Sequence, residues 1–179
     1  MPDKKLEVCL SPALLPLYQV QDYIVVIVDI FRATSSICYG IANGAEAIIP
    51  VAEIEECLAY REFNEDYLLA AERNGEVVPG FDFVTSTFSY TADKVSFTTV
   101  VLTTTNRPQA LHLSRGAQQV VIGSFLNIDA LCSWLKTTGK NILLVCAGWK
   151  NNFNLEDTLF AGAVAEQLKG LNYIADDAA

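Results

Sequence analysis

Residues 23–36 read YIVVIVDIFRATSS, an apolar and β-branched run that ends in a carboxylate, an arginine and three hydroxyl side chains. The run predicts a strand over 23–31 that is buried on both faces, because its apolar residues do not alternate with polar ones. The residues that follow predict a helix over 33–43. Strands of this kind occur in parallel sheets that helices cover on both faces.

The same pattern repeats along the chain. Buried strands are also predicted at 98–105, 118–124 and 141–148, with weaker candidates at 6–10, 45–52 and 67–71. Helices are predicted between them at 53–63, 107–116, 127–138 and 155–168. Continuous apolar strands that alternate with helices indicate the α/β class, with a largely parallel sheet.

Length and composition bound the class of protein. With 179 residues, of which 51% are hydrophobic and 18% charged, the chain has enough apolar material for one compact domain over 1–179. Its formal net charge of −9 argues against nucleic-acid or anionic-membrane binding, since both need a basic surface. No apolar run reaches the ~18 residues of a membrane span. An anionic substrate remains compatible with this charge if local cations or a metal offset it.

The five cysteines show no CxxC spacing, and most of them lie in apolar runs. This usage indicates reduced, buried thiols and a cytoplasmic protein. The single histidine, His112, excludes any mechanism that needs two histidines, and we expect it to be structural or on the surface.

Polar side chains follow several predicted strands, and ligands of open α/β sheets bind beyond the carboxyl ends of strands. We therefore expect Asp29, 103–106, Ser124 and 146–152 to share one edge of the sheet. Asp29 is a candidate Mg²⁺ ligand or a nucleophile toward phosphorus.

The residues after Asp29 suit an anion. Arg32 can bind a phosphate or carboxylate through two hydrogen bonds, and Thr34 and Ser35 would offer hydroxyls at a helix N-terminus. The alternative is structural: Asp29 caps a helix beside a surface arginine.

Three further segments carry candidate site residues, each with a structural alternative. Glu72 and Arg73 could bind a metal and an anion, or lie in a solvated turn. Thr105 and Asn106 could bind phosphate oxygens, or serve as strand residue and helix cap.

The stretch CAGWKNNFNLEDTLFAGA at 146–163 is the last of these segments. A cysteine phosphatase needs an arginine six residues after its cysteine, and Asn152 stands there, so we interpret Cys146 as a packed thiol. Glu156 and Asp157 suit the first turn of a helix, and they could also reach a shared Mg²⁺.

Five segments together resemble, in order and spacing, the motifs of the 2-phosphosulfolactate phosphatase family. They are VDIFRATSSI, ERNGEVVPGFDF, TTTN, VVIGSFLN and CAGWKNNFNLEDTLFAGA. The resemblance implies a three-layer α/β/α sandwich with a largely parallel or mixed central sheet. It also implies a Mg²⁺-dependent phosphatase that hydrolyses 2-phospho-3-sulfolactate to 3-sulfolactate and phosphate, a step of coenzyme M biosynthesis in methanogens. A related small acidic phosphomonoester is the other substrate that we consider.

The resemblance also assigns roles to residues. Asp29 would be a metal ligand or nucleophile, with Glu72 and Asp157 supporting the metal. Arg32 and Arg73 would hold the acidic groups of the substrate. Five residues are predicted to contact the substrate: Thr34, Ser35, Thr105, Asn106 and Cys146. Direct attack by water and an aspartyl-phosphate route both remain open.

The chain departs from the family pattern in three places. Where the family usually has GNSP, this chain has Val84, Thr85, Ser86 and Thr87. Where the family usually has Gly and Thr after its Asn, this chain has Arg107 and Pro108 after Asn106. Family members also continue further, so we expect a missing C-terminal part. These departures favour an alternative, a non-catalytic relative that keeps the fold and binds anions or partners. We expect a homodimer, because an open sheet often needs its edge covered.

Overall fold

A computed structural model describes residues 4–73, 76–103, 114–171 and 173–179. The chain divides into two compact units. The first unit comprises Met1–Thr34 and Gln109–Ala179, and the second comprises Ser35–Pro108. The single domain over 1–179 stays a prediction.

The described residues form strands and helices in an alternating order. The strands are β1 (Lys4–Cys9), β2 (Tyr23–Val28), β3 (Ala47–Val51), β4 (Leu68–Arg73), β5 (Glu76–Val77), β6 (Thr99–Thr103), β7 (Gln119–Gly123), β8 (Asn141–Cys146) and β9 (Tyr173–Ala175). The α-helices are α1 (Ala33–Ala42), α2 (Ile54–Phe63), α3 (Ala92–Val95), α4 (Ile128–Thr138) and α5 (Leu155–Leu168). Short 3₁₀ segments lie at Pro12–Leu17, Val20–Asp22 and Thr87–Ser89.

The first unit contains a five-stranded sheet in the order β7-β2-β8-β1-β9, and all its pairs are parallel. Every residue of β2 is buried, as its unbroken apolar sequence predicts. On one face Val26 and Leu144 pack with residues of α4 and α5, such as Leu135 and Phe160. On the other face Val25, Ile27 and Leu143 pack with residues of the 3₁₀ segments. Both faces are therefore covered.

The second unit contains a four-stranded sheet in the order β3-β6-β4-β5. Its pairs are parallel except for the antiparallel pair of β4 with β5. On one face Val100 and Leu102 pack with Tyr90 and with Ile37 of α1. On the other face Leu69 and Val101 pack with Cys57 of α2. This unit also has helix, sheet and helix layers.

The α/β class and its layered arrangement are confirmed. The sequence predicts one central sheet, whereas the structure divides the strands between two, because the contiguous segment 35–108 contains strands and helices that pair with one another. Each predicted strand has its counterpart, and so does each predicted helix except 107–116, most of which lies outside the described residues. No helix in the described part of the chain is long and apolar enough to span a membrane.

Candidate functional site

Three adjacent strands of the first unit end together. Val28 of β2 pairs with Gly123 of β7 on one side and with Cys146 of β8 on the other. The next residues, among them Asp29 and Ser124, therefore share one edge of the sheet, as the sequence predicts. Thr103 ends β6 in the other sheet, so it does not share this edge, and 104–106 lie outside the described residues.

Asp29 is buried and caps helix α1. The N–H of Ala33 donates to Asp29 Oδ1 at 3.4 Å, and the N–H of Thr34 donates to the Asp29 carbonyl at 3.0 Å. The Thr34 hydroxyl, fully buried, donates to the same carbonyl at 2.8 Å and accepts from the Asp29 N–H at 3.1 Å. The structural alternative for Asp29 therefore describes a real contact. The substrate contact predicted for Thr34 stays a prediction.

Asp157 lies in the first turn of α5 with no exposed surface. Its Oδ1 accepts from the N–H of Ile30 at 2.8 Å, and its Oδ2 accepts from the N–H of Gly148 at 3.1 Å. Because Ile30 follows Asp29 and Gly148 lies just beyond β8, this one carboxylate holds the segments that leave two adjacent strands. It thereby fixes the backbone of the Asp29 edge.

The charges of Asp29 and Asp157 act on each other. Burial raises the pKa of Asp157 to about 6, and the nearby Asp29 carboxylate adds to this rise. Hydrogen bonds from the Ile30 and Gly148 N–H groups and from the Asn154 side chain oppose it. Two acidic groups that repel each other in a buried position form a region that a cation would stabilise.

The turn after β8 depends on a glycine. Gly148 has a φ of 59°, and a Cβ at this position would lie 2.2 Å from the carbonyl oxygen of Asn152. Trp149 and Asn152 exchange backbone hydrogen bonds at 3.0 and 2.9 Å, which closes the turn. This close approach brings the Gly148 N–H to Asp157, and sequence reasoning missed it although the glycine stands in the CAG motif.

Glu156 lies beside Asp157 in the same helical turn and is half-buried. The amide of Asn154 donates to Glu156 Oε1 at 3.3 Å. The Oδ1 atom of Asn154 is buried and has no hydrogen-bond partner among the described residues. An oxygen of this kind is a suitable acceptor for a bound water or donor group.

The Cys146 thiol packs in the hydrophobic core of the first unit. Burial raises its pKa to about 12, and the charges of Asp157 and Cys9 act in the same direction. A protonated, fully buried thiol is a poor nucleophile, in line with the packed thiol that the sequence predicts. A substrate contact by this residue stays a prediction.

Glu72 lies at the end of β4 in the second unit. Its Oε2 accepts a hydrogen bond from the Thr85 hydroxyl at 3.2 Å. The Ser36 hydroxyl donates to the Thr85 carbonyl at 2.7 Å, and it lies 3.3 Å from the hydroxyl of Thr87. Sequence reasoning missed Thr85, because its segment departs from the family pattern and shows no regular periodicity.

The remaining predicted site residues fall into two groups. Arg32 is exposed and Ser35 is half-buried, and each makes interactions within the chain. The second group lies outside the described residues and consists of Thr105, Asn106, Arg107, Pro108 and His112, together with the side chain of Arg73. The roles predicted for these residues stay predictions.

The residues of the first unit fit a magnesium ion in the chemistry of their donors. Mg²⁺ binds oxygen ligands and takes one or two carboxylates, with waters and substrate phosphates completing its shell. Asp29 and Asp157 supply two neighbouring carboxylates at the end of a parallel sheet. Across the described ranges, no group of three or more His, Cys, Asp or Glu side chains is arranged to hold a metal ion.

The fold and the site define an α/β protein with acidic side chains where its parallel strands end. Sequence comparison gives the family. The sequence profile of 2-phosphosulpholactate phosphatase matches residues 9–179. The chain therefore belongs to the 2-phosphosulpholactate phosphatase family.

Individual relatives agree with the profile. A probable 2-phosphosulfolactate phosphatase of Caldanaerobacter subterraneus is 39% identical over 155 residues, or 86% of this chain and 64% of the relative. Proteins described in the same words from Thermotoga petrophila and Thermotoga maritima are 44% and 42% identical over 144 residues, or 80% of this chain and 62% of each relative. The chain thus spans less than two thirds of the length of these relatives.

Proposed function

We propose that this protein is a Mg²⁺-dependent phosphatase of small acidic phosphomonoesters. The preferred substrate is 2-phospho-3-sulfolactate, which water would convert to 3-sulfolactate and phosphate. Family membership and the names of the relatives support the reaction class. The acidic edge at Asp29 and Asp157 supports the metal requirement.

The observation that carries the proposal is the pair of neighbouring carboxylates of Asp29 and Asp157. Asp157 binds the backbone at Ile30 and at Gly148, so the Asp29 edge is organised by the protein's own contacts. Preorganised charge of this kind costs no rearrangement when the substrate binds. A bound Mg²⁺ would supply positive charge for the phosphoryl oxygens.

The proposal gives each residue one task. Asp29 and Asp157 would hold the metal, with Glu156 beside them and Glu72 as a further predicted ligand. Arg32 would bind an acidic group of the substrate, because a guanidinium matches a carboxylate or sulfonate through two hydrogen bonds. Asp29 acts either as a ligand only or as the nucleophile, and both routes remain open.

The test is phosphate release from 2-phospho-3-sulfolactate by the 179-residue chain, measured with Mg²⁺ and with a chelator. We expect turnover with Mg²⁺ and none with the chelator. Turnover that is equal in both conditions would overturn the metal requirement. No turnover by folded protein that nevertheless binds Mg²⁺ would overturn the proposed substrate or the catalytic role.

The second candidate is a relative that keeps the fold and binds anions without hydrolysing them. Two altered segments favour this non-catalytic relative. One contains Val84, Thr85 and Thr87, and the other contains Arg107 and Pro108. A ligand that binds only the native state raises the melting temperature, so Mg²⁺ and 2-phospho-3-sulfolactate should both stabilise such a relative while no phosphate appears. Turnover excludes this candidate.

A further inference from the structure

We infer that Thr85 is a positioning residue that fixes the carboxylate of Glu72. This inference rests on the proposed function, because Glu72 is a predicted metal ligand there. Thr85 belongs to the segment in which the chain departs from the family pattern. The structure points to a role for this departure.

Backbone contacts bring the segment before Thr85 beside β4. Phe83 forms a parallel bridge with Ala70, the N–H of Asp82 donates to the Leu69 carbonyl at 2.9 Å, and the N–H of Ala71 donates to the Phe83 carbonyl at 3.2 Å. Glu72 lies two residues beyond Ala70, and Thr85 lies two residues beyond Phe83. Cross-strand neighbours have their side chains within reach of each other.

The hydroxyl of Thr85 contacts Glu72 directly. It donates to Glu72 Oε2 at 3.2 Å, and Thr85 is almost completely buried. A hydrogen bond to an ionised carboxylate is stronger than one between neutral groups, and burial shields it from water. The contact therefore restrains the direction of the Glu72 carboxylate.

Thr85 is itself held from a second direction. The hydroxyl of Ser36, fully buried in α1, donates to the Thr85 carbonyl at 2.7 Å. A side chain whose partner is held by backbone contacts of the preceding residues and by a buried hydrogen bond loses little freedom when it binds a ligand.

The side chain at position 85 has the chemistry that this role needs. Threonine carries a hydroxyl that can donate a hydrogen bond, so position 85 supplies a donor to Glu72. Partners that orient metal ligands are worth about 10–100-fold in metal affinity or activity.

The experiment compares Thr85→Val, which removes the hydroxyl at nearly constant volume, with Thr85→Ser, which restores it. Thr98→Val is the matched control, because its hydroxyl donates to the Val95 carbonyl at 2.8 Å just before β6, at the other end of the same sheet. Mg²⁺ affinity by calorimetry, kcat and KM, and the melting temperature are measured for each. We expect Thr85→Val to weaken Mg²⁺ binding or lower kcat about tenfold, Thr85→Ser to recover most of the loss, and Thr98→Val to match the wild type in both.

A thermal cycle separates this inference from the proposed function. Thr85→Val should lower the melting temperature by about 2–4 °C when Glu72 is present and by less in a Glu72→Gln background. Equal shifts in both backgrounds, or equal Mg²⁺ affinity and kcat for Thr85→Val and Thr98→Val, would overturn the inference. A wild type that neither binds Mg²⁺ nor releases phosphate would contradict the proposed function, and the cycle would still decide whether Thr85 fixes Glu72.

Discussion

The carboxylate of Asp157 accepts a hydrogen bond at 2.8 Å from the N–H of Ile30, the residue directly after Asp29. With its other oxygen on the N–H of Gly148, it joins the ends of β2 and β8 to the first turn of α5. The position of Asp29 is therefore set by the fold of the first unit. A ligand that binds at Asp29 would therefore meet a backbone that the protein has already organised.

Asp157→Asn should lower the free energy of unfolding at pH 7, where the Asp157 carboxyl is ionised and both of its oxygens accept. An amide has one acceptor oxygen, so its NH₂ group would face the N–H of either Ile30 or Gly148. An unsatisfied buried donor costs about 1–3 kcal/mol. Urea unfolding of the wild type and the variant measures this loss.

The same variant tests the raised pKa of Asp157. The folded pKa of about 6 exceeds the ordinary value of 3.8, so the folded state binds more protons between these values. This group's contribution to stability is fully present below pH 4 and is lost as pH rises through 6. Wild type should therefore exceed Asp157→Asn by about 1 kcal/mol more at pH 5 than at pH 7. A difference that does not change with pH would contradict the shift.

Gly148→Ala should destabilise the protein and disturb the site. Its Cβ would lie 2.2 Å from the Asn152 carbonyl oxygen at a φ of 59°, so the turn must move and carry the N–H away from Asp157. We expect a loss of about 2–4 kcal/mol, measured by urea unfolding.

Gly162→Ala is the matched control. Gly162 lies within α5, and a Cβ there would meet no atom within 4 Å. Alanine should stabilise this helix by about 0.5–1 kcal/mol. If the two substitutions have the same effect, the close approach at Gly148 is not the cause.

Thr34→Val should impair the cap at Asp29. The variant removes the hydroxyl that donates to the Asp29 carbonyl and accepts from the Asp29 N–H. We expect a loss of about 1–3 kcal/mol in stability and a lower kcat. Thr34→Ser keeps the hydroxyl and should recover most of the kcat, whereas equal kcat values for the two variants would mean that the cap does not position Asp29.

Cys146 should be unreactive in the native protein. Its thiol is fully buried, and its pKa is raised to about 12, so almost no thiolate exists at neutral pH. Mass spectrometry after brief treatment with iodoacetamide should find Cys146 unmodified until the protein is denatured. Cys146→Ala should retain turnover, and its complete loss in stable protein would contradict the packed thiol.

The sequence predicts the strands well, because continuous apolar runs such as 23–28 and 141–146 have few alternatives to burial in a parallel sheet. It does not predict their division between two sheets, since pairing partners depend on contacts far apart in sequence. Asp29 follows from its place at a strand end. The double contact of Asp157 does not follow, because helix-dipole preference already explains an acid in a first turn.

The segment around Thr85 shows the same limit. Its sequence shows no strand pattern, yet Phe83 forms a bridge with Ala70 of β4 and Thr85 donates a hydrogen bond to Glu72. Register of this kind follows from where β4 lies, which local sequence does not encode. A resemblance to the family marks the segment as altered without showing what the new residues contact.

The most direct test of the account is the initial rate of phosphate release from 2-phospho-3-sulfolactate with excess Mg²⁺ by wild type, Asp29→Asn and Asp129→Asn. The amide oxygen introduced by Asp29→Asn would still accept the hydrogen bond from the N–H of Ala33, so the cap of α1 should survive. Asp129 is an exposed control residue on α4. We predict Mg²⁺-dependent release that Asp29→Asn reduces by about 10³-fold, or about 4 kcal/mol, with Asp129→Asn unchanged. Equal rates for all three folded proteins would contradict the central role of Asp29.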